Sequence, residues 1–178
     1  MDTINWLNSN EKYFSESLNG YPCVPLGPYL STLPLVDLDG KVMDLGCGNG
    51  MLLKFLMKFS GHDLIPYGVD KEFTPIRQVK FAILPEYKDN FSVNTVDRYK
   101  FKEKFDLIIS NPFYSKDMKK FTSDCLEALN PGGKLIYRIH DDVLRNNDIN
   151  SLDDVSELND YNLKNSKGLR IVFGVINK

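Results

Sequence analysis

Short apolar runs separated by amphipathic stretches recur from residue 41 onward. The runs at 41–45 (KVMDL), 64–69 (LIPYGV), 91–96 (FSVNTV), 105–109 (FDLII) and 134–139 (KLIYRI) have the length of strands, and most are apolar enough to be covered on both faces. Helical stretches fall between most of them. In 49–59, Lys54 and Lys58 stand four apart on one face while Leu52, Leu53, Phe55, Leu56, Met57 and Phe59 cover the rest. That pattern predicts a largely buried helix, which Gly61 ends. Thr74-Pro75 has the form of an N-cap followed by proline at the first helical position, opening a helix to about Ala82. A further helix follows Ser115 and stops before Asn130-Pro-Gly-Gly133, and LRIVFGVI reads as a last edge strand entered through a hairpin-type connection at 164–168.

Alternating strands and helices imply right-handed crossovers and a parallel sheet. The expected fold is α/β: a Rossmann-like, doubly wound, mostly parallel seven-stranded sheet with helices on both faces and a C-terminal antiparallel edge strand. Residues 1–40 break the pattern, being aromatic and polar and then proline-rich (Tyr21-Pro-Cys-Val-Pro-Leu-Gly-Pro-Tyr29), which predicts a short helix and an irregular segment lying over the domain. With 178 residues the chain is expected to form one domain, 1–178, in which 1–40 is a lid or substrate-covering segment and 41–178 the ligand-binding core. A formal charge of −2 gives no broad basic surface for a long duplex, so duplex DNA is not the expected partner. Cys23, Cys47 and Cys125 are odd in number and form no C-x-x-C pair, which argues against a disulfide framework and against a metal site. No apolar run approaches the roughly 18 residues of a membrane span, and MDTINWLNSNEKYF has neither a basic n-region nor an apolar h-region, so a cytoplasmic location is expected and no membrane partner.

Candidate chemistry concentrates after the first strand. Lys41-Val-Met-Asp-Leu-Gly-Cys-Gly-Asn-Gly50 ends a strand, crosses a glycine-rich turn and opens a helix. A dinucleotide loop reads G-x-G-x-x-G, but here the third glycine arrives one residue early and Met51 stands in its place. Asp44 beneath the loop would repel a pyrophosphate and suit a ligand bearing an ammonium and a sulfonium, the charge pattern of S-adenosylmethionine. Asp70 ends the second strand 24 residues beyond Gly46, close to the roughly 20 at which an acid meets ribose hydroxyls. Asp97 ends the third run, where a carboxylate can accept from an adenine amino group, with Lys71 beside the ring.

On VMDLGCGNG at 42–50, YGVD at 67–70, VD at 96–97, FDLIISNPFY at 105–114 and LNPGGKLIYRI at 129–139, the chain resembles class I S-adenosylmethionine-dependent methyltransferases. The resemblance implies that the loop of Gly46, Cys47, Gly48 and Asn49 packs on the methionine portion. It further implies that Asp44 serves the loop and the ammonium, that Asp70 holds the ribose and that Asp97 meets adenine.

Ser110-Asn-Pro-Phe-Tyr114 follows a strand expected at the sheet's centre and resembles the Asn-Pro-Pro-Tyr loop of enzymes that methylate planar amino or amide nitrogens. Such a nitrogen has a delocalised lone pair, and two acceptors holding its N–H bonds would aim that pair at the methyl group. The Asn111 side-chain oxygen and the Pro112 carbonyl are the candidates, proline adding rigidity, and Tyr114 would stack on the flat acceptor. Phe113 replaces the second proline, which leaves the acceptor class open. Little general-base chemistry is demanded, because alignment can carry much of the barrier reduction. The expected activity is N-methylation of a nucleobase in RNA or of protein glutamine. The alternatives are a small-molecule methyltransferase and a non-catalytic cofactor-binding subunit, and no partner subunit is identifiable in the sequence.

Overall fold

The computed structural model describes residues 3–10, 12–13, 27–110, 118–140, 163–164 and 170–178. In chain order the strands are β1 (Gly40–Leu45), β2 (Leu64–Asp70), β3 (Phe91–Val93), β4 (Phe105–Ser110), β5 (Leu129–His140), β6 (Leu163–Lys164) and β7 (Arg170–Asn177). The helices are α1 (Thr3–Ser9), α2 (Gly27–Thr32), α3 (Met51–Phe59), α4 (Phe73–Gln78) and α5 (Met118–Ala128). A π-helical turn, Val79–Ile83, continues α4.

The sheet order is β3-β2-β1-β4-β5-β7-β6. β1 to β5 run parallel, β7 is antiparallel to β5, and the two-residue β6 pairs outside β7. The order reverses between β1 and β4, so the crevice for a ligand lies beyond the carboxyl ends of these two strands. Both are central and therefore read as apolar runs, with Val42 to Leu45 and Leu107 to Ser110 all buried.

Side-chain alternation divides the interior between the two faces. Val42, Leu107 and Ile109 pack with Trp6, Tyr29, Phe55, Leu56, Ile76 and Val79 on one side. On the other, Met43, Leu45, Ile108, Leu135 and Tyr137 pack with Phe121, Cys125 and Leu129. Trp6 and Tyr29 approach Phe55 at ring-centroid distances of 5.9 and 5.5 Å. Trp6 and Tyr29 thus lie buried against α3.

Three local expectations are corrected. The helix after β2 begins at Phe73, so Thr74 is inside its first turn and is not the N-cap. The cause is the Asp70 carboxylate, which accepts from the Glu72 N–H at 2.9 Å and closes the turn two residues earlier. Pro75 is tolerated because first-turn N–H groups lack helical partners. The third strand stops at Val93, not at Val96, since the Asn94 side chain accepts from Thr95 N–H at 2.8 Å and a 3-10 turn follows at Val96–Arg98. Finally, the helix does stop before Asn130, but the fifth strand starts at Leu129 rather than at Lys134, so that Asn130–Gly133 is the irregular start of β5. Asn130 Nδ2 donates to Asp106 Oδ1 (2.7 Å) and Gly132 N–H to the Lys178 carbonyl (3.1 Å), with a register shift against β4 between Phe105 and Leu107.

Candidate functional site

The glycine loop is built on three left-handed residues. Gly46, Gly48 and Gly50 have φ of 83°, 53° and 77°, conformations that side-chain-bearing residues adopt at a cost. Their roles differ. Gly46 and Cys47 both donate their N–H groups to the Val69 carbonyl, at 2.8 and 3.0 Å, which pulls the turn over the end of β2. At Gly50 a Cβ would stand 2.5 Å from Val79 Cγ2, so this glycine admits the π turn beneath the loop. A Cβ at Gly48 would meet nothing within 4 Å, so the loop is open to a ligand there.

Asp70 is the hinge of the site. Its Oδ2 accepts from Gly48 N–H and its Oδ1 from Glu72 N–H, both at 2.9 Å. One half-exposed carboxylate therefore fixes the glycine loop and the entry to α4 together. An ionised carboxylate offers about four lone-pair positions, so each oxygen keeps capacity for a hydroxyl donor. Asp44 lies deeper, at 1% exposure, on the strand that feeds the loop.

The local field is negative. Burial pushes the Cys47 thiol well above its ordinary range, and the Asp44 and Asp70 carboxylates push it further in the same direction. A pyrophosphate would meet both carboxylates, whereas a cationic ligand would be attracted. Cys47 itself is inert packing, its sulfur placed against the space that Gly68 leaves free.

The remaining candidates separate. Asn49, 1% exposed, turns inward; its amide donates to the Tyr13 carbonyl (2.8 Å) and to Gln78 Oε1 (3.3 Å), so it locks the loop to the N-terminal segment and to α4. Lys71 is largely exposed and lies 3.9 Å from Glu72. Asp97 is exposed on the 3-10 turn after β3, at the same rim as Asp70, because Asn94 N–H bonds the Asp70 carbonyl at 2.9 Å. Asn111, Pro112, Phe113 and Tyr114 lie outside the described residues. β4 delivers the chain to them at Ser110, whose register partner is Leu45, the residue before Gly46. Among the described residues no three His, Cys, Asp or Glu side chains gather into a metal site, and no helix is long and apolar enough to cross a membrane. The contributions of Gln78, Val79 and Tyr13 escape sequence reasoning, since each acts only through a contact across the fold.

Residues 29–156 match the family described as the methyltransferase small domain. A curated relative, malonyl-[acyl-carrier protein] O-methyltransferase 2 of Ilyobacter polytropus, is 31% identical over 100 residues, which are 54% of this chain and 38% of that protein. The aligned part therefore spans well under half of that relative. The crystal structure of TrmN from Thermus thermophilus superposes with a TM-score of 0.66 at 17% identity, covering 93% of this chain and 52% of its own. That of an RNA methyltransferase from Salinibacter ruber, in complex with S-adenosyl-L-homocysteine, gives 0.58 at 14% identity over 87% of this chain and 92% of its own. At these identities the two structures establish the fold.

Proposed function

This chain belongs to the methyltransferase small domain family, and on that premise we propose that it is an S-adenosylmethionine-dependent methyltransferase whose acceptor is a planar nitrogen of an RNA nucleobase. The observation that carries the cofactor reading is the paired grip of Asp70 on Gly48 and Glu72, which leaves a carboxylate with spare acceptor capacity beside an open glycine loop in a negative field. In this reading Gly46, Gly48 and the Asp44 carboxylate hold the methionine end, Asp70 the ribose hydroxyls and Asp97 the adenine amino group. Lys71 stands beside the ring, while Cys47 and Asn49 shape the loop from within. The cofactor supplies a methyl group on an activated sulfonium leaving group.

Residues 1–178 act here as one domain, with the N-terminal segment covering the acceptor side. The register of Ser110 against Leu45 supports a catalytic role for Asn111 to Tyr114, because the chain enters that loop one residue from the glycine turn. Asn111 and the Pro112 carbonyl orient the acceptor nitrogen, and Phe113 and Tyr114 offer faces for a flat ring. A net charge of −2 gives these residues no broad basic surface to hold a duplex while a base is flipped out, which favours single-stranded RNA over duplex DNA.

The second reading, a small-molecule or carrier-bound acceptor methylated on oxygen, is favoured by the 31% identical O-methyltransferase. Incubation with methyl-labelled S-adenosylmethionine and separate RNA, DNA, protein and small-metabolite fractions distinguishes the two. Label is expected in RNA; label in the metabolite or carrier fraction transfers the assignment to the second reading. Asn111→Ala is expected to lower turnover by about 100-fold with cofactor affinity unchanged, as befits a group that acts on acceptor alignment. Equal turnover in variant and parent would remove Asn111 from the mechanism.

A further inference from the structure

The helix that follows Asp70 has two faces of opposite character. Inward, Ile76 and Val79 are buried and Val79 supports Gly50 beneath the glycine loop. Outward, Phe73 and Phe81 are 67% and 72% exposed, the most exposed large hydrophobic side chains among the described residues. Arg77, also exposed, lies midway between them. Neither ring packs on another aromatic side chain, and Arg77 has no ion pair or hydrogen bond among the described residues.

The spacing is i, i+4, i+8. A regular α-helix would turn about 800° over eight residues, leaving Phe81 roughly 80° round from Phe73. The π turn at Val79–Ile83 advances each residue by less and brings Phe81 back toward the Phe73 line. The irregularity thus collects two aromatic rings and one guanidinium into a single stripe about 12 Å long. Isolated exposed apolar residues need no explanation, but an aligned pair flanking a free cation does.

The geometry points to this stripe as a stacking platform for single-stranded RNA, an assignment that rests on the RNA reading given above. Phenylalanine faces accept any base, and a guanidinium between them meets the phosphodiester that joins stacked nucleotides. The length of the stripe is three to four base steps of about 3.4 Å, so the rings engage bases on either side of Arg77 rather than neighbours in one stack. On the stripe itself the charge suits a polyanion better than an apolar protein partner, since Arg77 and the half-buried Lys80 are cations. The negative charge belongs to the adjoining rim, where Asp70 is held by the Gly48 and Glu72 N–H groups, Glu72 faces Lys71 at 3.9 Å and Asp97 is exposed on the next turn. The stripe begins three residues after Asp70, so RNA lying on it would flank the cofactor rim.

The test is fluorescence anisotropy of the full chain with a labelled mixed-sequence single-stranded RNA dodecamer, beside calorimetry with S-adenosylmethionine on the same samples. Phe73→Ala and Phe81→Ala are each expected to weaken RNA binding about 5- to 150-fold, with Phe→Trp variants restoring it. Arg77→Ala should lower the salt dependence by about one phosphate contact. Cofactor affinity should stay at the parental value throughout, which excludes unfolding as the cause. Parental RNA affinity in both alanine variants, or no RNA binding by the parent while it binds cofactor, overturns the platform and leaves the methyltransferase reading intact. A change in oligomeric state with unchanged RNA affinity also overturns it, by assigning the stripe to a protein contact. Failure of the parent to bind cofactor strikes the underlying functional reading instead.

Discussion

The two ends of the sheet handle carboxylates in opposite ways. At the amino ends of the strands Asp106 ties separate strands together: Oδ2 accepts from Lys41 N–H at 2.8 Å and Oδ1 from the Asn130 amide at 2.7 Å. Gly40, with φ of 120°, gives up its Cβ so that this carboxylate can close on the backbone. Glu103 nearby is held by the Lys41 ammonium and by the Tyr67 hydroxyl, and its carboxyl is kept below the ordinary range chiefly by the hydrogen bond to Lys41. At the carboxyl ends Asp44 and Asp70 stand close enough together to raise the same thiol, and Asp70 is held only by two backbone N–H groups. Charge at the base joins strand to strand, and charge at the rim gathers beside the open space at Gly48.

The largest effect should come from beneath the rim. Gly50→Ala puts a side chain into a left-handed conformation (about 1–2 kcal/mol) and against Val79 (about 1–3 kcal/mol), so a loss near 3 kcal/mol and a fall in Tm of roughly 6–12 °C are expected. A melting temperature within a degree or two of the parent would show that packing under the loop does not hold it. Next, Asp70→Ala should weaken S-adenosylmethionine binding about 10- to 150-fold in calorimetry, given ~1.5–3 kcal/mol for hydrogen bonds to a charged group, with a smaller loss of stability. The base should answer in reverse. Asp106→Ala is expected to lower stability by about 1–3 kcal/mol in urea titration, through the stranded Lys41 N–H and Asn130 amide, while cofactor affinity stays parental. Matching losses of affinity in both aspartate variants would erase the distinction between the ends.

The smallest effect concerns acid. Because the Glu103 carboxyl titrates below its ordinary 4.5 in the folded chain, its pairing with Lys41 contributes above that pH and is lost as pH falls through the lowered value. The pair is exposed and screened, so Glu103→Gln should only slightly flatten the decline of Tm between pH 5 and pH 3. An identical decline in parent and variant would leave the pair without a role.

Sequence made the interior of the fold readable where one interaction dominates. β1 and β4 are apolar because they are central and covered on both faces, so their place follows from composition alone, as does the order of glycine turn, helix and Asp70. Reading failed where a side chain competes with the backbone. Thr74-Pro75 looks like a helix start, yet Asp70 reaches Glu72 N–H first; FSVNTV looks like a six-residue strand, yet Asn94 diverts its end. At the site, Gly46, Gly48 and Asp70 were legible as loop and acid because their spacing along the chain is the signal. The inward turn of Asn49 was not, since its partners are 36 and 29 residues away. The Phe73–Arg77–Phe81 line was hidden for a related reason: a π turn leaves no mark in the order of residues, and regular helical spacing separates the two rings.

Asn49 also makes the rim a junction of three remote pieces of chain. Its single amide group is shared by the carbonyl of Tyr13 and the side chain of Gln78, so the N-terminal segment, the glycine turn and the helix that bears the aromatic stripe cannot shift independently. Any movement of the glycine turn must therefore be accommodated at both hydrogen bonds of this one buried nitrogen, on the side of the N-terminal segment and on the side of α4.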